Sequence, residues 1–182
     1  MRLTNRKWII AMCTVVFIAA LSTAEDADKA AEGQYRDETN GFTITPPTGW
    51  TTKQAGVGQV FFHSPLESKT DGFSENINII VGQADKLPDL ESFKKAMTAG
   101  MEAVFENFTF IEAAVTNVNG MKAIRTVFTF TMKKFTIKSV QYMIIKDGKS
   151  FTITGTALAD TYETYLTAFE ATVGTLQIDK AE

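Results

Sequence analysis

A chain of 182 residues has the length of one domain, and with 45% hydrophobic and 21% charged residues it is not a mainly disordered polymer. Eighteen Lys and Arg against 21 Asp and Glu give a net charge of −3, without the basic excess that nucleic-acid binding calls for. Arg2, Arg6 and Lys7 are the only charged residues before Glu25. The apolar run from Trp8 to Leu21 is 14 residues long, short of the roughly 20 that span a bilayer as a helix. Ser22, Thr23 and Ala24 then place small residues at the −3 and −1 positions of a cleavage site. These features predict a secretory signal over 1–24, cut after Ala24, and an exported chain with no transmembrane segment. Cleavage would remove three cations, no anions and the lone Cys13. Met12 before that cysteine is a poor match to a lipid-attachment site.

Residues 25–38 are acidic and rich in Ala, and are expected to form a flexible linker to a domain over 39–178. Asn40-Gly41 marks a turn before a short strand, Phe42 to Ile44, which Pro46-Pro47 ends. Gln59–Ser64 and Ile77–Gly82 are apolar enough to form a strand pair, separated by a polar loop from Pro65 to Asn76. Asp89 is a predicted N-cap for a helix whose apolar stripe is Leu90, Phe93, Met97, Met101, Val104, Phe105 and Phe108.

Asn119-Gly120 and Asp147-Gly148 are turn pairs suited to tight hairpins, because they tolerate positive φ. Lys133-Lys134 sits where a third turn belongs. Together they predict four antiparallel strands: Thr109–Val118, Met121–Met132, Phe135–Lys146 and Lys149–Leu158. The third is apolar on both faces and is expected to be central. A last helix is predicted from Asp160, with Glu163 completing a capping box. The order strand pair, helix, four-strand meander, helix reads as an α+β fold.

The run Gly41-Phe42-Thr43-Ile44-Thr45-Pro46-Pro47-Thr48-Gly49-Trp50 resembles the opening motif of PsbP-like and DcrB-like domains. Phe62-His63-Ser64-Pro65, Glu75 to Val81, Asn119-Gly120 and Gln141 to Gly148 are similar to the later motifs of bacterial members, so the resemblance covers about residues 35–178. It implies an α/β/α sandwich around an antiparallel sheet that binds partners and performs no known chemistry. Members serve as lumenal photosystem subunits, periplasmic lipoproteins and chaperones for exported effectors. This chain departs from the lipoproteins in lacking a convincing lipid site, and from the cytoplasmic chaperones in carrying an export signal.

The residues themselves offer no catalytic set, no metal site and no cofactor motif. His63 is the only histidine, and its neighbour Ser64 would point to the opposite strand face, so a Ser-His-Asp arrangement is not expected. A cation at His63 with Asp71 or Glu75 would lack the His and Cys ligands that zinc favours. Trp50 is read as a core anchor. Asn107-Phe108-Thr109 is a glycosylation sequon at the helix end, read as incidental. The expected function is that of an exported, non-catalytic accessory protein binding an unidentified protein partner, with peripheral association to a membrane complex. The alternatives are a chaperone-like binder of apolar segments and a carboxylate-dependent enzyme. The predicted partner site lies in the polar loop, with Phe73 flanked by Lys69, Asp71 and Glu75. Phe73 is there either an aromatic anchor for a partner or a plug folded back onto the sheet.

Overall fold

The computed structural model describes residues 29–30, 33–68 and 72–179; the expected signal segment, Cys13, Lys69 and Asp71 lie outside them. The described chain runs β1 (Lys29–Ala30), β2 (Tyr35–Asp37), β3 (Phe42–Ile44), β4 (Thr51–Gly56), β5 (Gln59–His63), β6 (Asn76–Gln83), α1 (Leu90–Glu102), β7 (Glu106–Val118), β8 (Met121–Met132), β9 (Phe135–Lys146), β10 (Lys149–Leu158), α2 (Tyr162–Gly174) and β11 (Gln177–Ile178). Eight strands form one sheet in the order β1-β4-β5-β6-β10-β9-β8-β7, and β11-β3-β2 form a second. Every pairing is antiparallel. Two helices flank this large antiparallel sheet in an α+β fold.

The three hairpins of the meander arise from their turn residues. Asn119, Lys133 and Asp147 hold φ values of 49°, 56° and 52°, and Gly120 and Gly148 lie at 82° and 76°. This is the left-handed region that tight hairpins use. Strands β8, β9 and β10 accordingly begin and end where the sequence places them, and β9 is central, between β10 and β8.

Alternation along the strands divides the interior into two cores. On one face Val60, Phe62, Ile77, Ile79, Val140, Ile144, Phe151 and Ile153 pack with Phe42 and Ile44 of the small sheet and with Phe169, Val173 and Tyr162 of α2. On the other face Ile124, Phe128, Phe130, Ile137 and Met143 pack with Phe93, Met97 and Met101 of α1. The α1 face also carries a buried polar strip. There Gln141 Nε2 donates to Thr154 Oγ1 at 3.1 Å, and the Ser139 and Thr156 hydroxyls lie 3.2 Å apart.

Four features differ from the sequence reading. The segment expected to be linker ends in a strand: β2 pairs with β3, and Arg36 grips Asp179 after β11 with two hydrogen bonds of 2.9 and 2.6 Å. Strand β4 carries no apolar alternation and owes its place to pairing with β5. Helix α1 stops at Glu102, because the chain turns through Ala103–Phe105 and Asn107 takes a φ of 52°. Phe105 and Phe108 keep the helical spacing but reach the α1-side core from the turn and from β7. At α2 the N-cap is Thr161 with no side-chain cap bond, and Glu163 pairs with Lys138 at 2.8 Å instead of closing a capping box.

Tyr162 opens α2 and is 1% exposed. Among the described residues its hydroxyl has no hydrogen-bond partner, while Lys138 Nζ sits 4.2 Å from the ring centroid. An unmade buried hydrogen bond is costly, so Tyr162→Phe should leave stability unchanged or raise it by up to about 1 kcal/mol. Burial pushes this hydroxyl up to about 12 from its ordinary value of 10.0. The folded chain therefore favours the neutral form. That contribution is complete below about pH 10 and is lost as the pH rises towards 12. Thermal melts at pH 8 and pH 11 should show a smaller alkaline loss in Tyr162→Phe than in the parent chain; an equal loss would refute the assignment.

Candidate partner-binding surface

The loop between β5 and β6 straps one end of the sheet. Ser64 N donates to Glu75 O at 2.8 Å, and Ser74 Oγ donates to Ser64 O at 2.8 Å, which closes the loop's base. Glu75 is 3% exposed. Its carboxylate accepts from Thr161 Oγ1 at 2.9 Å and from Ser64 Oγ at 3.3 Å. This explains the uncapped helix: the Thr161 hydroxyl is turned to Glu75. The carboxylate beside the start of α2 also meets the positive end of the helix dipole. Tyr165 OH donates to Glu67 Oε1 at 2.9 Å. Burial, followed by the two nearby glutamates, raises the Tyr165 hydroxyl well above its ordinary value.

Phe73 belongs to the opposite side. It is 8% exposed, with its ring centroid 5.6 Å from that of Phe135 in the α1-side core. The strap thus engages α2 through Glu67 and Glu75 and the α1-side core through Phe73. The two described members of the predicted partner site, Phe73 and Glu75, both point inward. Exposed polar residues around Leu66, itself 56% exposed, form the loop's outer surface.

His63 stacks on Phe61, with centroids 5.9 Å apart and planes 11° from parallel. Ser64 turns its hydroxyl to Glu75, so the two neighbours face opposite ways as strand geometry requires. Among the described residues no three His, Cys, Asp or Glu side chains group as metal ligands. Trp50 is 6% exposed and packs edge-on against Phe169 at 6.3 Å. Asn107 of the sequon donates to Thr131 Oγ1 at 3.1 Å.

The surface that the sequence reading missed is β7. It ends the eight-stranded sheet and, among the described residues, pairs on one side only, with β8. Over its 13 residues Ile111 and Val115 are each 51% exposed, and Val104 in the turn before it is 62% exposed. Bulges interrupt the pairing between Glu106 and Thr109 and between Phe110 and Glu112. From Glu112 to Val118 the register is unbroken. Edge strands are commonly blunted by Lys, Pro, shortness, a bulge or a cover. The stretch Glu112–Val118 contains no Lys or Pro and has no bulge. The other sheet edge is β1, only two residues long. Along the chain Glu102, Glu106 and Glu112 occur with no Lys or Arg between Lys95 and Lys122, while on the neighbouring strand Lys122 and Arg125 stand opposite Asn117 and Ala114, so the acidic end of β7 is the one at Glu102 and Glu106. Glu112 pairs with Arg125, which also reaches Glu170 at 3.2 Å and Tyr142 OH at 3.0 Å.

The PsbP family profile matches residues 32–178. No functionally curated protein matches the chain. Among solved structures, cyanobacterial PsbP (CyanoP) from Synechocystis superposes with a TM-score of 0.60 at 17% identity, covering 87% of this chain and 99% of that one. A Pseudomonas aeruginosa protein of unknown function gives 0.57 at 12% identity over 82% and 97% of the two chains. The Ran-binding protein Mog1p of Saccharomyces cerevisiae gives 0.56 at 10% identity over 82% and 96%. At these identities the likeness is one of fold.

Proposed function

This chain belongs to the PsbP family, and from that premise we propose that it is an exported, non-catalytic accessory protein that binds a protein partner through the β7 edge. The observation that carries the reading is the long, one-sided β7 edge with Ile111 and Val115 exposed. Both faces of the sheet are occupied by cores, and the strap is tied to both. Exposed apolar side chains on a strand edge are what a partner can cover. The basic start, short apolar run and Ser22-Thr23-Ala24 support export and cleavage after Ala24. No described helix is long and apolar enough to cross a membrane, so association with a membrane complex would be peripheral.

The test is affinity capture from a membrane extract of the native cells, using the chain from Glu25 onward as bait. The parent chain and His63→Ala should retain the same partner. Ile111→Asp with Val115→Asp should reduce capture more than tenfold, with Tm held within a few degrees because both side chains are half exposed. Equal capture by the edge variant would move the binding surface elsewhere. Loss with His63→Ala at unchanged Tm would favour acid–base or metal chemistry over a pure binding role.

A further inference from the structure

We infer that β7 accepts its partner as a ninth strand: an extended segment of β-branched residues that adds to Glu112–Val118 and carries basic residues against Glu106 and Glu102. The inference rests on the proposed partner-binding role and specifies its chemistry.

Three observations support it. First, among the described residues β7 pairs on one side only, which leaves half of its backbone N–H and C=O groups directed away from β8. Such a row recruits an extended peptide through main-chain hydrogen bonds, with alternate side chains setting specificity. Second, the strand has two unlike parts. The bulges in the first part break the pairing register, whereas Glu112–Val118 stays in register with β8 throughout. In that second part Val115 stands 51% exposed as an apolar contact. Third, the first part is acidic. Glu102 and Glu106 are exposed and form no ion pair among the described residues. Only Glu112 is met by a cation, Arg125. Opposite charge on the partner would steer it and fix its register.

We take the added strand as antiparallel, like every pairing in this sheet; it then starts beside Val118 and ends beside Glu112 and Glu106, so its basic residues belong at its C-terminal end.

The probe is a synthetic peptide of thirteen residues alternating Val and Thr and ending in two Lys, long enough to run from Val118 to Glu106, added to the purified chain from Glu25 onward. Binding is read by fluorescence anisotropy, and its location by amide hydrogen exchange. Expected results are protection of amides within residues 112–118 and at least tenfold weaker binding when Glu replaces both Lys. Affinity should fall as salt is raised from 50 to 500 mM, as screening of exposed charges requires. A peptide N-methylated at every Val and Thr should not bind, because neither edge of its backbone can then donate to the strand. That control needs no change to the protein, so a variant that fails to fold cannot obscure the answer. Equal binding of the Lys and Glu peptides, binding that survives N-methylation, or protection confined to other strands would overturn the inference. So would a chain already dimerised through β7 in sedimentation. No peptide binding while Ile111→Asp with Val115→Asp still abolishes capture of the native partner would reject strand addition and leave the binding role standing. No effect of that variant on capture would reject both.

Discussion

Gly155→Ala is expected to lower the unfolding free energy by about 2–3 kcal/mol, the cost of overpacking a filled core. Residue 155 lies in β10 between Val140 of β9 and Ile77 of β6. A Cβ placed there would stand 2.4 Å from Cγ and 2.8 Å from Cβ of Phe169. Phe169 cannot withdraw easily. It is 1% exposed, and its ring is flanked by Trp50, Tyr165 and Tyr162 at 6.3, 6.2 and 6.5 Å. The contact involves the base of the aromatic side chain, so rotation of the ring gives no relief and α2 itself must lift from the sheet. For a domain of this size the loss corresponds to a fall in Tm on the order of 5–10 °C. Phe169→Ala alone should cost about 3–5 kcal/mol. In the double variant the new methyl group occupies space vacated by the ring, so the combined loss should be smaller than the sum of the two. Additive losses, or a Tm within 2 °C of the parent for Gly155→Ala, would show that α2 does not rest on β10 at this point.

The glycine also shows why some of the fold was legible in the sequence and some was not. Hairpin turns are written locally: Asn119-Gly120 and Asp147-Gly148 suit a conformation that few other residue pairs adopt, and period-two apolar residues fix the strands between them. Close packing of α2 on β10 depends on two residues far apart in the chain, and neither Gly155 nor Phe169 announces the other. Strands β2 and β4 were invisible for a related reason. Tyr35–Asp37 and Thr51–Gly56 hold too few apolar residues to show a period, and their partners β3 and β5 supply the order. At α1, Phe105 and Phe108 continued a helical spacing because they serve the same core after the helix has ended.

The candidate surface was hidden at a different level. Nothing in Glu112–Val118 distinguishes an edge strand from a central one, because position in a sheet is set by strand order. The crossover through α1 carries the chain from β6, inside the sheet, to its far edge. That topology leaves Ile111 and Val115 exposed, whereas Ile79 and Ile153 on internal strands are fully buried. The acidic run without a Lys or Arg from 96 to 121 was readable in the sequence. It acquires meaning only once the run is placed on an open edge. Conversely, the sequence left Phe73 open between anchor and plug and set Glu75 on the rim of a polar loop, and that loop closes on itself through Ser64, Ser74 and Thr161.

Phe73→Ala separates the two roles open to that loop. The ring is 8% exposed and packs with Phe135 over the α1-side core. Removing a buried phenyl ring costs about 3–5 kcal/mol, and the lower end applies because Phe73 sits in a loop at the end of the sheet, where neighbours can settle into the space. A Tm lower by on the order of 6–12 °C is therefore expected. Phe73→Leu should recover most of the loss, since it restores apolar volume without an aromatic face. Capture of a partner through β7, measured well below the melting temperature, should be unchanged in both variants. The strap is held on its α2 side by Glu75 and Thr161 whether or not the ring is present, and Phe135, on which the ring rests, belongs to β9, with β8 between it and β7. An unchanged Tm with capture lost in Phe73→Ala would instead make Phe73 an aromatic anchor that swings out to its partner, and failure of Phe73→Leu to rescue capture would strengthen that reading. If Tm and capture are both unchanged, the loop between β5 and β6 is a connector, and the contact between Phe73 and Phe135 contributes little to either folding or binding.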